Sequence, residues 1–564
     1  MRKFFSISAI MALLLMVACG DTSKIIDQVD TDSIDTDPID TTASDTDSAD
    51  PTDTGSQDNT SDTDKTDTGT TDNETPGNSE TPDNNETPDN ETPDAETPDT
   101  ETPDTETPDT ETPDNETPDN ETPDNSETPD NSETPDNNET PDNNETPDED
   151  IPEKEIEFER ITVDDNPNKP AFVTVDDLDG DGHLDMIVAQ YGPSLSGNYD
   201  IYWGTGDLSN WTKETLNIGG DNGISFPHPV KVADINGDGI KDIVSPSGFL
   251  ACLTKCGNIF WLEGTGERNK WTKHEIVKNN DHFFFDVSLV DVDGDGVTDI
   301  LTNASQKKTI SIGNGQDERV MWFKGTNTAD RFETTSRVIS SGNGGPFPRF
   351  VDLNGDGKKD IAVAQFFNSN ITTNGSFIWF EQGATVEEWT KHIIDNESGE
   401  SFMLEIIDDL YGDGVRRAVG VNHVNSADNA SGPKEGVFVF DIPNDPTQKW
   451  TKKNIATDIK SRKSPLMGNQ AAPGLFGYGD ITGNGLIDLV VSGDGDSRVF
   501  WFEQKPAGTF TQHTLDGVAG ASVNGSDSFG QAGGMQIVDL DADGKNEIVV
   551  TLYEGNKLYI YKVK

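Results

Sequence analysis

Along residues 153–564 the apolar positions come in short runs broken by Gly, Asp and Asn turns, and the same order of runs returns seven times. Each period opens with a run such as Ala171–Val175, Val230–Ala233 or Val287–Val290. A polar nonapeptide follows, and then a second apolar run: Met186–Ala189, Asp242–Val244, Asp299–Leu301, Asp360–Val363. The third run is aromatic: Ile201–Trp203, Ile259–Trp261, Val320–Trp322, Phe377–Trp379, Val437–Val439, Val499–Trp501, Leu558–Ile560. The fourth starts from a ring, as in Trp211–Leu216, Trp271–Ile276, Phe332, Trp389–Ile394, Trp450 and Phe510–Leu515. Four short β-prone runs per period, separated by turn residues, predict one propeller blade per repeat. The tryptophans recur in register and are expected to pack between blades.

The phase of the repeats is informative. The chain ends in the third run of the seventh repeat, and the missing fourth stands at the start, where Phe158–Val163 matches the ring-x-x-x-x-aliphatic pattern. Residues 156–163 are therefore expected to close the last blade from outside, which hides two open sheet edges.

The nonapeptides carry the candidate chemistry. The first is Asp177-Leu-Asp179-Gly-Asp181-Gly-His183-Leu-Asp185, with oxygen side chains at positions one, three, five and nine and the His183 carbonyl at seven. The second is Asp234, Asn236, Asp238, Ile240 and Asp242, and the third Asp291, Asp293, Asp295, Val297 and Asp299. The fourth is Asp352, Asn354, Asp356, Lys358 and Asp360, and the seventh Asp539, Asp541, Asp543, Lys545 and Glu547. In the fifth, Tyr411 and Arg417 replace two ligands; in the sixth, Thr482 and Asn484 leave two carboxylates. Carboxylates crowded this closely repel one another unless a hard cation lies between them, and Ca2+ suits a short, flexible, oxygen-rich loop.

An acidic loop followed by an apolar strand resembles the FG-GAP/VCBS repeat, the calcium-loop blade also found in integrin alpha-subunit propellers. The likeness covers about residues 158–564. It implies an all-β, seven-bladed propeller with Ca2+ in loops one, two, three, four and seven, none in the fifth, and weak or no binding in the sixth. The expected role of the ions is structural.

The N-terminal part is of another kind. Met1-Arg2-Lys3 and the apolar Phe4–Val17 form an export signal too short for a comfortable membrane span. It ends in Val17-Ala18-Cys19-Gly20, which resembles a bacterial lipobox, so 1–19 is read as a lipoprotein leader and Cys19 as the lipidated residue, with Gly20 leaning toward the outer membrane or cell surface. From Gly20 to Asp150 stand about 45 acids against Lys24 and Lys65, roughly two thirds of the chain's net charge of −66. Residues 20–152, rich in Thr, Pro, Asp, Glu and Asn, cannot bury a core and should form a disordered, self-repelling tether of up to about 400 Å. In an exported protein Cys252 and Cys256 are read as a local disulfide.

Nucleic acid is excluded as a partner, because an acidic chain is repelled by phosphate. The loops opposite the acidic ones vary and are the expected seat of binding. His228, His282, Arg349 and His423 are the candidate ligand-binding residues there, with Asp286 and Glu405 as their acidic neighbours. No catalytic motif is legible. Recognition of a glycan or a surface protein is the leading expectation, with the membrane reached only through the lipid anchor. A carbohydrate-active lyase or dehydratase on that loop face, and a structural envelope protein, are the alternatives.

Overall fold

Seven four-stranded antiparallel sheets follow one another along the chain. They belong to a computed structural model that describes residues 156–564 apart from 193–195, 217, 219–223, 249–256, 269, 308–315, 367–370, 465–467, 522–528 and 530–531. The leader with Cys19, the acidic stretch, Cys252 and Cys256 lie outside the described residues.

Blade 1 runs Pro170–Asp176, Asp185–Gln190, Tyr199–Trp203, Thr212–Leu216. Blade 2 runs Lys231–Ala233, Asp242–Ser247, Gly257–Gly264, Trp271–Asn280; blade 3 runs Val287–Val290, Asp299–Lys307, Gln316–Gly325, Phe332–Ser341. Blade 4 is Arg349–Val351, Asp360–Ala364, Phe377–Gln382, Trp389–Asp395, and blade 5 is Ser401–Ile407, Arg417–Asn422, Val437–Asp441, Thr451–Asn454. Blade 6 is Phe476–Gly479, Asp488–Ser492, Arg498–Lys505, Thr509–Gly517. Blade 7 takes Ala532–Val538, Glu547–Leu552 and Lys557–Val563 from the last described residues and Phe158–Asp164 from the first, with Phe158 opposite Val563 and Ile161 opposite Ile560. The fold is a seven-bladed β-propeller.

The second strand of each blade explains the packing. Asp185–Gln190, Asp242–Ser247 and Glu547–Leu552 are buried at every position. Neighbouring blades cover both faces of such a strand, which is why its sequence is a continuous apolar run rather than an alternating one. The core accordingly lies between blades. Val244, Trp261, Phe284 and Phe323 join blades 2 and 3, while Trp379, Leu404, Phe438 and Trp450 join blades 4 and 5. Val173, Met186, Val549 and Ile560 join blade 7 to blade 1 and seal the ring.

The tryptophan register needs one correction. Trp261, Trp322, Trp379 and Trp501 occupy equivalent third-strand positions, opposite Val244, Leu301, Ala362 and Val490. Trp261, Trp379 and Trp501 each stack on an outer-strand histidine, His274, His392 or His513, at 4.3–4.6 Å between ring centres. Trp203 is not in this register. Tyr202 pairs with Met186, so Trp203 stands two residues further along, beside the acidic loop, and Ile201 fills the tryptophan position.

Candidate metal centres

Every acidic nonapeptide connects the first and second strands of its blade, so all seven lie on one face. Their backbone is built by the same few bonds. In blades 1, 2, 3, 4 and 6 the position-one carboxylate accepts the N–H groups of positions four and six: Asp177 takes Gly180 at 2.8 Å and Gly182 at 3.0 Å, and Asp291 takes Gly294 and Gly296, both at 2.8 Å; in blades 5 and 7 it takes position six. Gly180, Gly182, Gly294 and Gly296 have φ between 73° and 88°, a left-handed region that costs other residues energy. In blade 7 Ala542 stands at position four and is held at φ 56°. The position-five carboxylate accepts the N–H of position seven, as Asp238 does from Ile240 at 2.8 Å.

Position nine does something the sequence did not announce. Asp185 is fully buried and accepts the N–H of Leu178 at 2.9 Å and of Gly204 at 2.8 Å, which staples the loop to the end of the third strand. Asp242, Asp299, Asp360 and Asp488 repeat the pair of bonds. Burial pushes the carboxyls of Asp185 and Asp488 up to about 6 and raises those of Asp242, Asp299, Asp360 and Glu547. A nearby cation would favour their charged form.

What remains facing the loop centre is an oxygen cluster. In blade 1 Asp177, Asp179 and Asp185 bring one oxygen each within 4.8 Å of the others; Asp291, Asp293 and Asp295 do so in blade 3, and Asp539, Asp541 and Asp543 in blade 7. Asp293 Oδ1, Asp541 Oδ1 and Glu547 Oε1 are buried without a hydrogen-bond partner. All-oxygen donors, three in each of these three loops and partly unsatisfied in blades 3 and 7, fit a hard divalent cation such as Ca2+. In blades 2 and 4, Asn236 and Asn354 stand at position three and donate to Glu263 and Glu381, each at 3.0 Å. Blade 5 carries its own cation: the Arg417 guanidinium lies 4.1 Å over the Tyr411 ring and reaches Asp413 at 2.8 and 2.9 Å. Blade 6 offers Thr482, whose hydroxyl is buried without a partner. On the same face a cleft of about 360 Å3 between blades 1 and 2 is lined by Asp179, Trp203, Arg268 and Trp271.

The opposite face does not gather the four candidate residues into one site. His228 is wholly buried, 4.2 Å from the Phe285 ring, with Nε2 2.6 Å from the Gly248 carbonyl. Phe285, Phe347 and Phe402 meet edge to face at 5.4–6.2 Å and form an aromatic plug. His423 packs on the far side of it, 5.0 Å from Phe402, with Nδ1 2.8 Å from the Pro473 carbonyl. His282 lies 3.5 Å from Asp317 and has no part in the plug. Arg349 makes a two-pronged bond to Glu405 and lies 3.8 Å from buried Asp286, which Lys231 approaches to 3.5 Å. Arg349, Asp286 and Glu405 thus form a cluster at the inner strands of blades 3, 4 and 5, while the rings of His228 and His423 pack against the aromatic plug and His282 stands apart beside Asp317.

One group on this face escaped the sequence. Asp494 lies 3.7 Å from His423, and Glu400 gives its carbonyl to the His423 N–H at 2.7 Å. Burial raises both carboxyls. No motif marks them; the one local hint is that Asp494 adopts φ 47°.

With this geometry in view, a profile described as the FG-GAP-like repeat matches residues 177–245 and 480–550. Those two stretches are FG-GAP-like repeats. No curated protein matches the chain. Among solved structures, the chain is similar to BBS1N in its complex with ARL6DN at 10% identity and TM-score 0.43, covering 72% of this chain and 96% of that one. It is also similar to the alpha-L-arabinanase of Penicillium chrysogenum complexed with arabinobiose, at 10% identity and TM-score 0.37, over 73% and 98% of the two chains. The GH93 alpha-L-arabinofuranosidase of Fusarium graminearum gives 10%, 0.37, and 72% and 97%. These likenesses concern fold alone.

Proposed function

We propose that this chain is an exported, lipid-anchored, calcium-stabilised propeller that recognises a glycan or a surface protein. The observation that supports calcium is the loop geometry: oxygens of positions one, three and five converge on one point in blades 3 and 7, and some of them lack any partner. The ion would be held by positions one, three, five and nine and by the position-seven carbonyl, and its charge would hold ionised the carboxylates that burial otherwise raises. The protein's own bonds shape the loop; the ion would stiffen it. Cys19 and the acidic stretch support display on a tether, and recognition is assigned to the face opposite the acidic loops.

A second reading, carbohydrate chemistry, draws on Glu400, His423 and Asp494. Two carboxyls raised by burial beside an imidazole are a combination suited to proton transfer.

Three measurements test the proposal. Chelation should lower the melting temperature of the purified protein and added Ca2+ should restore it, since an ion that binds only the folded state stabilises it; an unchanged melt refutes calcium. Cys19→Ser should abolish lipid labelling and release the protein from membranes. Incubation with a polysaccharide panel, followed by mass spectrometry, should return intact retained glycan. Shortened or dehydrated products that vanish in His423→Gln would instead establish the second reading.

A further inference from the structure

The seven repeats share one third-strand position that lies beside the acidic loop, directly across from loop position nine. Its occupant changes with loop position three. In blade 3 position three is Asp293, and the residue across is Lys324, whose ammonium bonds Asp293 and Asp295. In blade 7 position three is Asp541, and Lys562 reaches Asp541, Asp543 at 2.8 Å and Glu547 at 3.5 Å. Blade 1 has Asp179 at position three and Trp203 across; here the base comes from the next blade, as Arg268 lies 4.8 Å over the Trp203 ring and bonds Asp179 and Asp181.

Blades 2 and 4 reverse the pair. Position three is an amide, Asn236 or Asn354, and the residue across is an acid, Glu263 or Glu381. The second oxygen of each glutamate is fixed by the outer-strand histidine: His274 to Glu263 at 2.8 Å and His392 to Glu381 at 2.9 Å. An acid at position three goes with a base beside it, and an amide goes with an acid.

We propose that these pairs sort the loops into two classes of calcium site. In blades 2 and 4 the strand glutamate supplies a fourth carboxylate, oriented by its histidine, and among the described residues no side-chain cation bridges positions three and five, Lys358 reaching Asp356 alone at 3.2 Å. In blades 3 and 7 a tethered ammonium bridges those positions, cancels one carboxylate charge, and must move before a divalent ion can use both oxygens. Blade 1 belongs with these through Arg268. Calcium affinity in acidic loops follows ligand charge and rigidity, and a ligand fixed by an outer hydrogen bond is worth about 10- to 100-fold in metal affinity. Blades 2 and 4 are therefore the tight sites, by about tenfold or more. The inference rests on the reading of the loops as calcium sites and adds which side chains grade them.

Calcium titration calorimetry on the full chain at physiological salt tests this, because the acidic N-terminal stretch gives the same background in every variant. The wild type should show two tight equivalents above a weaker class. Glu263→Gln with Glu381→Gln should remove the tight pair and leave the weaker class in place. Lys324→Gln with Lys562→Gln should move two equivalents into the tight class. Tight equivalents that survive the glutamate changes, or lysine changes without effect, overturn the two-class scheme while leaving calcium binding intact. Loss of all binding above background in the wild type overturns the calcium reading itself. The lysine side chains are 23% and 25% exposed, so those variants decide the matter should the glutamate variants fail to fold.

Discussion

Acid should destabilise this propeller through His228. In the unfolded chain an imidazole titrates near 6.5, whereas burial beside Phe172 and Phe285 pushes His228 down to about 3. The unfolded chain therefore binds the proton first. The stability contributed by the neutral ring is complete above the unfolded value and is lost as pH falls from about 6.5 toward about 3. At roughly 1.4 kcal/mol per pH unit, the full span amounts to about 5 kcal/mol. The assay is guanidinium unfolding from pH 8 to 4 for the wild type and for His228→Gln, which can keep a donor toward the Gly248 carbonyl. Lost packing lowers the variant curve by a constant, but its slope below pH 6.5 should be shallower by up to about 1.4 kcal/mol per unit. Asp185 and Asp488, raised by burial, act in the opposite direction, yet they are common to both proteins and cancel in the difference. Parallel curves would refute the burial argument.

Three further outcomes follow from the geometry. A chain that begins at Pro170 loses Phe158–Asp164, with Phe158 edge-on to Trp501 at 5.2 Å and Arg160 bonded to Asp516 at 2.8 Å; calorimetry should show a clearly lower melting temperature or aggregation, and a melt equal to that of a chain from Pro152 would refute ring closure. Arg349→Gln strips the partner from Glu405, which is 9% exposed, and should cost about 3–5 kcal/mol in denaturant unfolding; Arg349→Met with Glu405→Leu should recover most of that loss. Ala542→Gly relieves a side chain held at φ 56° and should stabilise blade 7 by up to about 1 kcal/mol, read as a higher unfolding midpoint.

Blade count and the acidic loops were legible because each repeat states its own pattern, and the lone run Phe158–Val163 completed the one blade that lacked an outer strand. Position nine has a second task that only the fold shows. An aspartate in a carboxylate-rich loop reads as a ligand, and Asp185 does stand in a cluster with Asp177 and Asp179; its oxygens also accept the N–H groups of Leu178 and Gly204, a stapling role no motif announces. That the histidines do not converge was hidden from the sequence for a related reason. A histidine in a variable loop carries no mark of burial, and His228 sinks into an aromatic plug whose rings come from several blades. Glu400 and Asp494 were invisible because Glu400 meets His423 only through the pairing of the first two strands of blade 5, and Asp494 only when blade 6 stands beside it. Trp203 misled by its spacing: it ends its aromatic run as Trp261 does, but the strand behind it is two residues out of step.

The closing strand has a consequence for how the chain reaches its fold. Glu157 and Lys564, which meet at its end, are 407 residues apart in sequence. Each other blade can form from one contiguous stretch as it is made. Blade 7 cannot: Phe158–Asp164 leads the domain in synthesis and has to stay unpaired until Lys557–Val563 arrives last. The loop to be closed is nearly the whole domain, so ring closure is a late, slow step. A chain cut short anywhere before residue 557 would carry an orphan first strand and an open ring, each a sheet edge free to pair with another molecule.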